Sequence, residues 1–581
     1  MYTEYEIRPL PLSVKSIRTK AEQFLNKNQL RLERTDYFAG VFRIDGDEIL
    51  ACGGVKNNLI KCIAVGDELR DTGMGSRLIS HLVSVVMQRS NNVKVFTKPE
   101  NVQIFKSLGF SLIASAEHAV LMENNNKPLE NYCRYLSSHK KEGLNGVIVM
   151  NCNPFTLGHR YLIETASAKT DNLYIIAVKE NISMFSYADR LQMIKNATAD
   201  LPNVTVLEGS EYSVSEFTFP TYFLKDLNYA ADTHITLDLD LFCKYLAPHL
   251  NAKIRFVGSE PFDYDKLTCR YNELMSQILP LHGIDVQQIP RLEKDGKAVS
   301  ASVLRKHLNE GRLSLAINTA YPTTVPFLLG YTAALCLQKE LDTTPKPGLI
   351  DKNDNGAHSD MDYHLMTTSI NALLPYFNRL ASIGYCRSMP DAQQIKDLGL
   401  QAEEAMFNAT HGINTHKGAL FSMGLAVVCA ANILYNCQTI NAQQLQQHII
   451  NLSAGFTQPE GTHGSKALNA NRIKGALACA NEGYKELFSS WLPFYRANIN
   501  DEYAMHKLLL LIMSEIDDTN IYYRKDKATV EYVKNISKAI LNDFSTEKLN
   551  ALNAEFIRMN ISPGGAADML ALTLFISSAV N

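Results

Sequence analysis

A short apolar run, Gly146–Met150 (GVIVM), leads into Asn151-Cys152-Asn153-Pro154-Phe155-Thr156-Leu157-Gly158-His159-Arg160, and a helical run follows over Tyr161–Lys169. Gly158 lets a phosphate approach the start of that helix, where free N–H groups and the helix dipole favour an anion. His159 can donate to a phosphate oxygen, and Thr156 points a hydroxyl at the same place. Together they would stabilise charge building on an α-phosphate under attack, with no covalent enzyme intermediate. Taken alone, such a run is also what a βα turn with a capping histidine looks like. A second run, Val299-Ser300-Ala301-Ser302-Val303-Leu304-Arg305, follows the strand-like VQQIP. Ser300 and Ser302 can cap a helix while touching phosphates, and Arg305, one turn along, can reach the β- and γ-phosphates. Two such runs in this order, with a β/α region between them, point to ATP. Lys179 closes a strand-like run, at the end where parallel sheets bind ligands, and is suited to neutralise phosphate or acetate. Arg190, in SYADR, is either a phosphate contact or a surface ion pair.

Further constellations lie on either side. LIKCIAV (Leu59–Val65) reads as a strand, followed by Arg70-Asp71-Thr72-Gly73-Met74-Gly75 and a helix over Ser76–Gln88. Glycines between a strand and a helix leave N–H groups open to a pyrophosphate; a plain helix-capping turn has the same form. Towards the C-terminus come Thr344-Pro345-Lys346-Pro347-Gly348, Gly356 to Asp362 (GAHSDMD), Gly412 to Gly418 (GINTHKG), Asp517-Asp518-Thr519-Asn520 and Ser562 to Asp568 (SPGGAAD). Each puts glycine beside charged or hydroxyl residues ahead of an apolar helix, which suits a phosphate–magnesium ligand and suits an ordinary cap equally well.

The elements that must position these groups fall into three regions. Residues 1–130 mix strands and helices. Over residues 140–320, the runs NLYIIAV (Asn172–Val178), VTVLEG (Val204–Gly209) and KIRFVG (Lys253–Gly258) join GVIVM as short apolar strands separated by helical periodicity, which predicts a parallel, doubly wound sheet. From residue 323 to 581 apolar residues recur at helical spacing, predicting an all-α domain. Glu123–Pro128 and Asn318–Pro326, polar and proline-bearing, read as linkers.

A chain of 581 residues is too long for one hydrophobic core. Its net charge of −3 gives no field that would make nucleic acid a main partner. Eleven cysteines without a CxxC pair argue against both zinc and a complete disulfide framework, and suggest reduced thiols in a cytoplasmic protein. The N-terminus lacks the apolar core of a signal peptide, and the apolar runs read as broken by charge before a membrane could be spanned.

Thr156-x-Gly158-His159 is the threonine form of the (H/T)xGH nucleotidyltransferase signature, and Ser300–Arg305 resembles the ISSTxxR motif of the same superfamily. With MNCNPFTLGHRYLIE, AVKENISMFSYADRLQMI, VGSEPF followed by YNELM, and KDGKAVSASVLRKHL, the region is similar to citrate lyase ligase. That resemblance implies ATP-dependent activation of acetate and acetylation of the thiol of citrate lyase's acyl-carrier subunit, with AMP and pyrophosphate released. It assigns Asn153, Thr156, Gly158, His159, Ser300, Ser302 and Arg305 to the triphosphate, with Lys179 and Arg190 as further contacts. Arg70, Gly73 and Gly75, completed by Asn101–Phe110 (NVQIFKSLGF), resemble the pyrophosphate loop of the GNAT acyltransferase fold, which implies an acyl-CoA or thiol-recognition domain in front.

The C-terminal set resembles triphosphoribosyl-dephospho-CoA synthase, implying transfer of the triphosphoribosyl part of ATP to dephospho-CoA with release of adenine. The resemblance makes Asp360, Asp362, Asp517 and Asp518 magnesium and substrate carboxylates, and His416, Lys417 and Glu403 substrate contacts. One departure stands out. After Thr462-His463-Gly464 the family carries Arg-Gly-Glu-Ala before a Gly-aromatic pair; here Leu477-Ala478-Cys479-Ala480 precedes Gly483-Tyr484. A ligase carrying a degenerate C-terminal scaffold, and a simple adenylyltransferase, are the competing readings.

Overall fold

Strands form where the sequence concentrates β-branched and apolar residues. The computed structural model describes residues 5–70, 72–180, 182–215, 230–260, 266–456 and 475–580; Asp71 and Thr462-His463-Gly464 lie outside the described residues. The chain divides into two units, Met1–Val299 and Ser300–Asn581. The first mixes strands and helices and the second is helical.

In the first unit, β8 (Asn145–Met150), β9 (Asn172–Ala177), β10 (Val204–Glu208), β11 (Ala252–Gly258) and β12 (Asp285–Ile289) form one sheet in the order β10-β9-β8-β11-β12. Every pairing is parallel. Both faces are covered, so β9 is buried at all but its first residue. The strand order reverses between β8 and β11, and ligands bind at the carboxyl ends of strands beside such a reversal. The Thr156–His159 turn leaves β8 at that end.

Seven further strands precede this sheet: β1 (Tyr5–Pro9), β2 (Tyr37–Arg43), β3 (Ala51–Lys56), β4 (Leu59–Val65), β5 (Lys94–Thr97), β6 (Ser111–Ser115) and β7 (Val120–Glu123). They form a second sheet in the order β1-β2-β3-β4-β5-β7-β6. Only β4 and β5 run parallel, and they pair at Leu59–Lys94 and Ile60–Val95 alone. The two sheets share a core: Leu59, Ile113 and Leu121 of one belong to the same buried cluster as Val147, Tyr174 and Leu207 of the other. A buried polar knot adds to it. The Tyr212 hydroxyl donates to Glu123 at 2.8 Å, and Lys94, fully buried, pairs with Glu211 at 2.5 Å.

Neither expected linker is one. Pro128 and Pro322 stand in the first turns of Lys127–Ser138 and Pro322–Thr324, and Pro326 in that of Val325–Asp342. There the missing N–H costs nothing, so the prolines start helices. Glu123, Thr324 and Val325 are buried. The two compact units part at Val299/Ser300, ahead of the boundary expected between 320 and 323. Leu313, Ala316 and Ala320 are buried, the Leu313 N–H donates to Ser578 Oγ at 3.3 Å, and Lys339 Nζ donates to the Asn309 carbonyl at 2.9 Å.

The second unit is built around the long apolar helices Val325–Asp342, Lys417–Cys437 and Gly564–Ala579. Lys417–Cys437 corrects the sequence reading, for it has no charge after its first residue. It is long and apolar enough to cross a membrane by length and composition, and 83% of its most apolar window is buried within the unit, as for a core helix.

Candidate active site

The turn after β8 is set by a reciprocal cap. The Thr156 hydroxyl accepts the His159 N–H, and the Thr156 N–H donates to His159 Nδ1 at 3.0 Å. Because Nδ1 accepts that backbone proton, the ring proton sits on Nε2, and His159 presents a donor. Thr156 is buried, and its hydroxyl orients His159. A Cβ on Gly158 would stand 3.4 Å from the Val299 carbonyl oxygen, so the helix start lies close against the residue that precedes Ser300 in sequence.

Arg190 is neither a phosphate contact nor a surface ion pair. It is fully buried and holds the ends of two strands together. Nη1 donates to the Asn151 carbonyl at 2.9 Å and to the Val178 carbonyl at 2.9 Å, Nε to the Phe185 carbonyl at 3.1 Å, and Nη2 pairs with Glu180 at 3.1 Å. Asn153 Oδ1 accepts the Phe185 N–H at 3.2 Å, which ties the same two loops. The exposed Lys179 lies between these carbonyl anchors, with Nζ 5.9 Å from the Tyr187 ring centre.

A cleft of about 2830 Å³ in the first unit brings Arg70, Gly73 and Gly75 to the same space as Lys179, Glu180 and Glu211. Gly73 begins the helix Met74–Met87 in the left-handed region (φ +74), with no side-chain cap and nothing within 4 Å of an added Cβ. That helix start is open to a ligand. Arg70 is exposed and pairs with Asp67 at 2.8 Å.

Ser300, Ser302 and Arg305 belong to the second unit. Ser300 caps Ala301–Asn309 by accepting the Ser302 N–H at 3.2 Å, and Arg305 donates to Ser302 Oγ at 3.1 Å.

The C-terminal candidates meet mixed outcomes. Asp518 is withdrawn from the metal set. It is buried, its Oδ1 accepts the Asn520 and Ile521 N–H groups, and its Oδ2 accepts that of Ala566 at 3.0 Å, so it fastens the helix Gly564–Ala579. Asp517 is paired with Lys534. Asp362 caps Tyr363–Gly384 through the Leu365 N–H at 2.8 Å; Asp360 is exposed, 3.8 Å from His358. Among the described residues no three His, Cys, Asp or Glu side chains are grouped to hold a metal. Lys417 and Glu403 pair with each other at 2.6 Å. His416 is buried, with Nδ1 2.8 Å from Ser369 Oγ and with Nε2 lacking a hydrogen-bond partner among the described residues. Leu477, Ala478 and Cys479 are half-buried and Ala480 is buried in the short helix Ala476–Asn481.

Burial, with Lys346 nearby, pushes the His416 imidazole down to about 3, so it is neutral in the fold. Its stabilising contribution is complete above about 6.5 and is lost as pH falls towards 3, by about 1.4 kcal/mol per pH unit. Asp568 and Glu340, both raised by burial, act in the opposite sense. The expected outcome is therefore a signed difference: from pH 7 to pH 5, denaturant unfolding followed by Trp491, the chain's single tryptophan, moves further towards instability in the native chain than in His416→Gln. Equal shifts would mean that His416 is not buried neutral.

Comparison with known proteins also divides the chain in two, but at residues 327–328. The family model described as citrate lyase ligase C-terminal domain matches residues 145–328, and that described as ATP:dephospho-CoA triphosphoribosyl transferase matches residues 327–581. The [citrate [pro-3S]-lyase] ligase of Klebsiella pneumoniae is 38% identical over 325 residues, 55% of this chain and 94% of the relative. The ligase of Escherichia coli strain K12 is 37% identical over 53% of this chain and 88% of its own length. The probable 2-(5''-triphosphoribosyl)-3'-dephosphocoenzyme-A synthase of Streptococcus mutans is 34% identical over 43% of this chain and 95% of its own length. The fold and these matches define an enzyme with two parts, a ligase and a transferase. The chain belongs to the citrate lyase ligase family and to the triphosphoribosyl-dephospho-CoA synthase family, and is a fusion of the two.

Proposed function

We propose that this fusion is a bifunctional citrate lyase maturation enzyme. Its ligase part activates acetate with ATP and acetylates the thiol of the acyl-carrier subunit of citrate lyase, releasing AMP and pyrophosphate. Its transferase part moves the triphosphoribosyl group of ATP to dephospho-CoA and releases adenine. The observation that carries the reading is that one chain spans nearly the whole length of a relative of each name. Both steps serve one carrier, which gives the fusion a reason.

In the ligase part we assign the HxGH nucleotidyltransferase class. His159 Nε2–H stabilises the α-phosphate, with Thr156 holding the ring, Gly158 and Asn153 shaping the turn and Lys179 neutralising acetate or phosphate. Ser300, Ser302 and Arg305 are assigned to the triphosphate from their motif. Arg305→Ala should raise the KM for ATP in AMP formation, since a charge-assisted bond is worth about 1.5–3 kcal/mol. An unchanged rate at low ATP removes Arg305 from the site. The seven-stranded region is assigned as a GNAT-like thiol-recognition module, with Arg70, Gly73 and Gly75 facing the pyrophosphate of the carrier's arm. The cleft from there to Lys179 supports this.

In the transferase part, Lys417, His416 and Glu403 are assigned to the substrates. Magnesium binds nucleotides through one or two carboxylates besides the phosphates. Asp360 and Asp362 fit such a role, and the ion would neutralise triphosphate charge. The degenerate-scaffold reading keeps one observation in its favour, the apolar Leu477–Ala480 where an arginine and a glutamate are expected. Two assays on the full chain decide: acetate-dependent AMP formation with the carrier, and adenine release from ATP with dephospho-CoA. Adenine release supports two activities; AMP formation without it leaves the scaffold reading.

A further inference from the structure

Moving the triphosphoribosyl group of ATP, the reaction proposed above for the transferase part and on which this inference rests, breaks the bond between the ribose anomeric carbon and adenine. A purine leaves poorly as an anion, and a proton placed on its ring by a positioned acid lowers the barrier. The donor must stand at the ligand-binding helix starts, must be protonated near neutral pH and must not be paired with a cation, spent on several backbone N–H groups or, like Asp362, exposed.

Most carboxyls around those helix starts are committed. Asp362 caps a helix, Asp518 holds three backbone N–H groups, Glu403 pairs with Lys417, and Glu340 pairs with the buried Lys346. Asp568 is different. It lies in the second turn of Gly564–Ala579, and its Oδ2 reaches the start of Lys417–Cys437: a Cβ built on Gly418 would stand 2.1 Å from it. The backbone N–H of Ala419 bonds to it, which sets the carboxyl beside His416 and Lys417. The residue keeps part of its surface open. Burial, with Glu340 and Asp518 nearby, holds its carboxyl well above the usual carboxylate range. Among the described residues Tyr484 also faces it, and Lys346 stands beside Glu340. Two atoms in this neighbourhood, His416 Nε2 and Tyr484 Oη, are buried without a hydrogen-bond partner among the described residues. Buried polar atoms rarely stay unpaired, so both point to a polar ligand here.

We propose that Asp568 is the proton donor to the departing adenine. As the carbon–nitrogen bond breaks, its electron pair stays with the base, and the Asp568 O–H proton passes to a ring nitrogen, so adenine leaves neutral. The anomeric carbon takes the oxygen of the acceptor hydroxyl on dephospho-CoA, and the proton of that hydroxyl restores the Asp568 carboxyl. No other reactant is needed.

The test uses the full chain, native and Asp568→Asn, with dephospho-CoA and either ATP or its N7-methyladenine analogue, whose base already carries a positive charge and leaves without a proton. With ATP, Asp568→Asn should lower kcat by about 10²–10⁴-fold at little changed KM. With the methylated analogue the variant should match the native chain. The native chain should lose activity at alkaline pH with ATP and keep it with the analogue. Full activity of the variant on ATP, an equal loss on both substrates, or the same alkaline fall with both would overturn the role. Retained acetate-dependent AMP formation and helical circular dichroism check the variant's fold; if it does not fold, the two native pH profiles decide. A native chain that releases no adenine would instead remove the transferase reading itself, and this role with it.

Discussion

Arg190→Leu should destroy the ligase activity and destabilise the first unit by about 3–5 kcal/mol, the usual cost of removing one partner from a buried ion pair. The guanidinium is fully buried and donates to carbonyls of Asn151, Val178, Glu180 and Phe185 while pairing with Glu180. Leucine would take the guanidinium donors from those carbonyls and leave the buried Glu180 carboxylate without its countercharge, held among the described residues only by the N–H groups of Ile182 and Ser183 and the Ser183 hydroxyl. Arg190→Lys should recover little, because three donors on one nitrogen cannot replace a planar fork that serves two strand ends at once. Denaturant unfolding of the full chain followed by circular dichroism measures the stability, and AMP formation in native buffer measures the activity. A leucine variant with native stability and native turnover would show that the two loops hold themselves.

His159→Ala should lower acetate-dependent AMP formation by about 10²–10³-fold in kcat, as removal of one preorganised donor to developing charge does. Adenine release should be unaffected, because the residues assigned to it lie in the second unit. The fold should survive, since the Thr156 hydroxyl accepts a backbone N–H that alanine also has. Both products should be measured in one reaction mixture. Loss of both would mean that the two activities share a site; normal AMP formation would remove His159 from the chemistry.

Much of this arrangement is legible along the chain. GVIVM, NLYIIAV, VTVLEG and KIRFVG all become strands of one parallel sheet, because short apolar runs between helical stretches have few other ways to be buried. The helices that follow two of the strands begin earlier than read, at Leu157 rather than Tyr161 and at Met74 rather than Ser76, because Thr156 caps the first and Gly73 turns into the second. What escaped the sequence depends on partners far away in it. Arg190 reads as a phosphate contact or a surface ion pair because most of its acceptors are backbone carbonyls, which carry no side-chain signature. Asp518 looks like half of an acidic pair, and only the fold brings the Ala566 N–H to it. The prolines at 128, 322 and 326 mark breaks equally well whether they end one element or begin the next.

The division at Val299/Ser300 bears on how the fusion is inherited. The ligase family match runs to residue 328, yet the segment from Ser300 onward is packed into the body that ends with the transferase's last helix, where Ser578 accepts the Leu313 N–H. A premature stop codon that removed the transferase would therefore also strip the cover from the ligase's own tail. Mutations that unfold the C-terminal body would damage both gene functions at once. Selection on either activity thus guards the packing on which the other depends.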